Sequence, residues 1–145
     1  MKVALAVNKI TSDIENNFEN IKSFIRQAGD EEADLILFPE TALTGLINND
    51  DPEHDLKLGI EIPGKYTDQL CQEAKDASIN VAIGVFERDG SKLYDSAFFI
   101  TREGEIGLKY REFPGSGIGP IQILKSIVKE KRLVYSIQIL VRSVS

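Results

Sequence analysis

A chain of 145 residues, 42% hydrophobic and 28% charged, has the size and composition of one ordinary soluble domain with a real core. Its formal net charge of −6 argues against a nucleic-acid partner, and no apolar run approaches the roughly 18 residues of a membrane span. With one cysteine, Cys71, and one histidine, His54, neither an intrachain disulfide nor a four-ligand Cys/His zinc site can form. The N-terminus lacks the long apolar region and small-residue cleavage site of a signal peptide, so the expected setting is the reducing cytoplasm.

Lys2 to Val7 reads as a first strand, with Val3, Leu5 and Val7 alternating with small alanines. Thr11, Ser12 and Asp13 offer a helix N-cap. Ile14, Phe18, Ile21, Phe24, Ile25 and Ala28 then recur at spacings of three and four, the pattern of one helix face, and Gly29 is expected to end the helix at C′. After an acidic link from Asp30 to Glu32, Leu35, Ile36, Leu37 and Phe38 form a continuous apolar run, as in a parallel strand buried on both faces. This predicts a right-handed β-α-β unit. Pro39 ends the strand, and Glu40 follows at its carboxyl end, where open α/β sheets bind ligands. An apolar neighbourhood there would raise the pKa of a carboxylate toward that of a working base.

Leu46 to Gly64 reads as a long irregular segment of the kind that forms functional lids. Its cluster Asp50, Asp51, Glu53, His54 and Asp55 fits no EF-hand spacing and reads as a solvated loop; no metal or cofactor is expected. Thr67 and Asp68 can cap a second helix whose inner face carries Leu70, Cys71, Ala74 and Ala77, which makes Cys71 a core residue rather than a nucleophile. Ile79 to Phe86 predicts a strand with Gly84 set for a bulge or close backbone packing. Glu87 to Gly90 predicts a turn, Leu93 to Thr101 a strand, Arg102 to Glu105 a hairpin turn, and Ile106 to Tyr110 a further strand. The order is that of a parallel α/β sheet extended by hairpin-connected strands.

Four segments in this order, MKVALAV, ADLILFPETALTG, VAIGVFERDG and LYDSAFFITREGEIGLKYR, resemble the nitrilase or carbon–nitrogen hydrolase superfamily over about residues 1–111. The resemblance implies an α/β fold, a nitrilase-like α-β-β-α sandwich that is incomplete in this chain. It also implies a Glu-Lys-Cys mechanism on a small amide or nitrile, and homo-oligomers. Carried across, Glu40 matches the general base, Thr44-Gly45 the turn after it, and Lys109-Tyr110-Arg111 the start of a Lys-Tyr-Arg-Lys run.

The sequence departs from that pattern at two points. Glu112 stands where the resemblance implies the catalytic Lys, and no cysteine follows Cys71 to act as nucleophile. Lys109 lies three residues earlier, an odd offset that turns it to the other face of a strand. Charge changes at the same place: residues 1–112 carry −10 and residues 113–145 carry +4. Residues 1–112 are therefore read as the N-terminal part of a carbon–nitrogen hydrolase domain, and 113–145 as a divergent tail. The tail is either the product of a disrupted reading frame or a genuine segment with Ile121, Leu124, Ile127 and Val128 on a helix face and a strand over Leu133 to Val141. Its serines, Ser116, Ser126, Ser136, Ser143 and Ser145, have no nucleophile context.

As written, the chain is expected to be inactive. The alternative is a non-catalytic binding protein whose uncovered sheet face seeks partners. A flavodoxin-like nucleotide binder is disfavoured, because Asn8-Lys9-Ile10-Thr11 supplies no glycine after the first strand.

Overall fold

The computed structural model describes residues 1–45, 51–112 and 138–143, and for 112 and 138–143 the backbone alone. In chain order the elements are β1 (Lys2–Val7), α1 (Ile14–Asp30), β2 (Leu35–Leu37), α2 (Pro52–Leu58), α3 (Lys65–Asp76), β3 (Asn80–Asp89), β4 (Lys92–Ile100), β5 (Ile106–Glu112) and β6 (Gln138–Ser143). The strands form one sheet in the order β5-β4-β3-β2-β1-β6. The β6, β1, β2 and β3 strands run parallel, while β3-β4 and β4-β5 are antiparallel hairpin pairs. The expected α/β order with a hairpin extension is what forms.

Helix α1 starts at Asp13, whose carboxylate accepts from the backbone N–H groups of Glu15 at 3.0 Å and Asn16 at 3.1 Å. Phe18, Ile21, Phe24, Ile25 and Ala28 are buried from it, and α3 adds Leu70 and Ala74. These pack with Ile36, Val81, Ile83, Val85, Phe98 and Ile100 on one face of the sheet. Val3, Leu35, Leu37, Ala82, Ala97 and Phe99 form a second cluster on the other face. Its central residues are buried, and Val7 and Tyr110 at its margins are the exposed large hydrophobics among the described residues.

Gly29 does not end α1. The helix continues to Asp30, and Glu32 takes the left-handed conformation at φ 56°. Ala33 N–H then donates to Ala28 C=O at 2.9 Å and Glu32 N–H to Gly29 C=O at 2.9 Å, which closes a Schellman ending. Gly29 serves packing instead: a Cβ there would stand 2.8 Å from the Ala77 carbonyl oxygen and 2.9 Å from its Cβ. Helix α3 ends in the same way, with Ser78 at φ 52° and Ile79 N–H donating to Ala74 C=O at 3.0 Å. It begins one turn earlier than expected, at Lys65, and Thr67 lies inside it with its hydroxyl accepting from Gly64 N–H at 2.8 Å.

The segment read as a long irregular loop contains α2. Asp51 caps it by accepting from His54 N–H at 3.0 Å, Pro52 occupies the first turn, and Glu53 and Asp55 lie near the positive N-terminal end. Helix-start chemistry thus explains acids that looked like a loop cluster; Asp50 lies outside the described residues. Strand β3 runs on through Glu87 and Arg88 to Asp89, so the hairpin turn is at Gly90-Ser91 rather than Glu87 to Gly90. The tail strand is β6, paired with β1 from Lys2↔Gln138 to Val7↔Ser143; it overlaps the expected Leu133–Val141 over residues 138–141, and residues 133–137 lie outside the described residues. The expected helix face at Ile121, Leu124, Ile127 and Val128 lies outside the described residues.

Candidate active site

Strand β2 is short. Its ladder with β3 stops at Leu37↔Ala82, and Phe38 N–H adds one last bond to Ala82 C=O at 2.9 Å. Farther along, Ile60 takes over as the neighbour of β3, donating to Phe86 C=O at 2.9 Å and accepting from Arg88 N–H at 2.7 Å. The Pro39-Glu40-Thr41 corner fills the interval between. Thr44 Oγ1 accepts from Phe86 N–H at 3.2 Å, so the corner is hydrogen-bonded to the β3 backbone it lies beside.

The corner is fixed by groups from three elements. Asn17 of α1 is fully buried; its amide donates to Leu43 C=O at 3.0 Å and Thr11 C=O at 2.8 Å, and its oxygen accepts from Thr11 N–H at 2.9 Å. Asn8, just past β1, donates to Ala42 C=O at 3.4 Å. Below the corner is Gly84, where a Cβ would stand 3.0 Å from Glu40 Cα. The expected role of Gly84 is therefore fulfilled as close packing, and the backbone it admits is that of Glu40. Thr41 sits at φ 59°, a conformation that costs a β-branched residue about 1–3 kcal/mol. Such strain persists only where the surroundings fix it, as the buried run from Thr41 to Thr44 does.

Glu40 is exposed, against the expectation of an apolar surrounding. The reason is local: it lies beyond the last ladder bond, and the residue beneath its backbone is a glycine with no side chain to cover it.

The Lys109-Tyr110-Arg111 run is engaged elsewhere. Glu87 is 1% exposed. It accepts from Ser96 Oγ at 2.6 Å, from Lys109 Nζ at 2.8 Å and from Arg111 Nε at 3.0 Å, with a second Arg111 bond from Nη2. Arg111 also donates to Asp89 at 2.9 Å and lies 4.2 Å from the Tyr94 ring centroid. Burial by itself would raise the Glu87 carboxyl, but the donors from Arg111, Lys109 and Ser96 outweigh it and hold the pKa at about 2. Strand alternation puts Glu87 on the face of Ile83 and Val85, which pack against the helices, whereas Gly84 presents its empty Cβ position to Glu40 from the other face. The sheet thus separates Lys109 and Arg111 from Glu40.

The sequence reading missed Glu87 because its Glu-Arg-Asp-Gly context looked like a turn. The available signal was its even spacing from Val81, Ile83 and Val85. Cys71 is half-buried on α3, burial pushes its thiol up, and its carbonyl lies against Gly104 in the β4–β5 turn. That turn flanks the start of β3, away from the Gly84 position over which Glu40 sits. Glu112 pairs with Asp95 at the end of β5.

The carbon–nitrogen hydrolase family model matches residues 2–114. A nitrilase from an unidentified prokaryote is 40% identical over 113 residues, covering 69% of this chain and 36% of the relative. The NitFhit protein of C. elegans superposes with a TM-score of 0.63 at 20% identity, covering 79% of this chain and 29% of that one. An amidase from Nesterenkonia sp. superposes with a TM-score of 0.61 at 18% identity, covering 75% of this chain and 41% of that one. The chain thus spans about a third of the length of the nitrilase, and its described sheet and helices are an incomplete version of the nitrilase-like α/β fold. With the family model covering most of its length and the Pro39-Glu40 corner in place, this chain belongs to the carbon–nitrogen hydrolase family.

Proposed function

We propose that residues 1–112 carry the general-base arm of a site that hydrolyses a small amide or nitrile, with Glu40 as the base, and that the 145-residue polypeptide does not itself turn such a substrate over. The observation that supports this most is the corner itself: an exposed carboxylate at the carboxyl end of a central parallel strand, on a strained and multiply fixed backbone.

The chemistry needs three groups. An amide carbon is a poor electrophile, so a thiolate adds to it and the base takes the thiol proton. That proton passes to the departing nitrogen, and the base then deprotonates the water that cleaves the thioester. A cation stabilises the oxyanion of each tetrahedral intermediate, a contribution of several kcal/mol. In this chain Glu112 occupies the cation's place in sequence and would repel that oxyanion, Lys109 is bound to Glu87, and no cysteine follows Cys71. The nitrilase and amidase among its relatives support nitriles and amides as the substrate class.

Residues 113–145 are proposed to be a divergent tail, and the charge reversal at residue 113 supports a disrupted frame as its origin. Sequencing codons 108–120 tests this: another frame should place a lysine after Tyr110-Arg111 and lead to a later strand-end cysteine. For the chain as a whole, ammonia release from aliphatic amides and nitriles should stay at the buffer rate.

A further inference from the structure

Among the described strands β5 lies at the end of the order, with β4 as its neighbour. Its ladder with β4 shifts register at Phe99/Ile100, at the start of β5, and then runs unbroken from Leu108 to Glu112. Backbone pairing to a single neighbour is a weak constraint on a strand end, yet β5 ends at residue 112, whose place relative to Glu40 decides what the two can do together.

The side chains supply a second constraint. Glu87 belongs to β3, two strands from β5, and Lys109 and Arg111 both reach it across β4. On β4, Arg111 is paired with Ser96, itself paired with Val85, and Lys109 is paired with Phe98. Ser96 is small enough to leave the path open, and its hydroxyl donates to the same carboxylate. Arg111 is further held by Asp89 and the Tyr94 ring. The three strands are therefore clamped together through one buried carboxylate. On β3 the clamp lies three residues beyond Gly84, which touches Glu40; on β5 it ends one residue before 112.

We propose that Glu87 is a positioning residue: by binding Lys109 and Arg111 across β4, it fixes the residue-112 end of β5 in relation to the Glu40 corner. It touches no substrate and acts through the strand. This rests on the reading of Glu40 and position 112 as two points of one site.

The test is nuclear spin relaxation on the folded 145-residue chain and its Glu87→Gln variant. Backbone order parameters over Lys109–Glu112 should fall from ~0.85 to below ~0.6, while those of Leu35–Leu37 stay at ~0.85. A merely stabilising role would lower the unfolding midpoint and leave order parameters of the folded state unchanged; that result in a folded Glu87→Gln chain overturns the proposal. If Glu87→Gln does not fold, Arg111→Lys decides: it keeps the charge but loses the forked contact, so the same segment should loosen, and an unchanged segment overturns the proposal. The measurement needs no turnover, so failure here leaves the hydrolase reading standing, and failure of that reading leaves the clamp measurable.

Discussion

Glu87 is a buried carboxylate held by three side chains, Arg111, Lys109 and Ser96. Its carboxyl titrates at about 2 rather than at the ordinary 4.5, because the donors of Arg111, Lys109 and Ser96 outweigh the cost of burial. A carboxyl lowered on folding adds stability that is complete above pH 4.5 and is lost as pH falls through about 2. Glu87→Gln leaves two cations facing an uncharged amide and should cost about 3 kcal/mol at neutral pH by denaturant unfolding. The acid limb of the stability curve should flatten in the same variant. Gly84 makes a second residue-scale prediction. Gly84→Ala puts a methyl group 3.0 Å from Glu40 Cα, so the corner must shift, at a cost of about 1–3 kcal/mol. Amide shifts of Glu40 and Thr41 should move while those of α3 do not.

At the scale of elements, much was legible because periodicity and burial coincide. Phe18, Ile21, Phe24, Ile25 and Ala28 declared α1, and Leu35 to Leu37 declared a strand buried on both faces. What was not legible turned on contacts between segments distant in sequence. Gly29 resembles a helix stop until Ala77, 48 residues later, is packed against it. Gly29→Ala separates the two views. Helix propensity alone favours alanine by about 1 kcal/mol. The Cβ clash with the Ala77 backbone opposes it, and a net loss of about 1–2 kcal/mol is expected by thermal or denaturant unfolding. The acids at the start of α2 misled in a similar way, because Asp51, Glu53 and Asp55 suit a solvated loop as well as a helix cap and first turn. Of the candidate site, the Pro39-Glu40 corner could be read directly. The buried Asn17 that holds it and the Glu87 clamp could not, since both bind partners far away in sequence.

At the scale of the whole molecule, the family, the α/β class and the strand order up to β5 follow from residues 2–114. The chain continues into β6 beside β1, and Val7 and Tyr110 stand exposed on the sheet face away from the α1–α3 cluster. Self-association through that face is proposed. Sedimentation at micromolar concentration should show a species heavier than the 16.1 kDa monomer, and a strictly monomeric profile contradicts it. No described helix is long and apolar enough to cross a membrane. The proposal is chemical: Glu40 would serve as a base, while residues 1–145 carry Glu112 at the cation's place in sequence and no cysteine after Cys71. Ammonia release from aliphatic amides and nitriles by the purified 145-residue chain, with Glu40→Ala alongside, tests it most directly. Both proteins should match buffer; turnover by the unaltered chain that Glu40→Ala abolishes would contradict it.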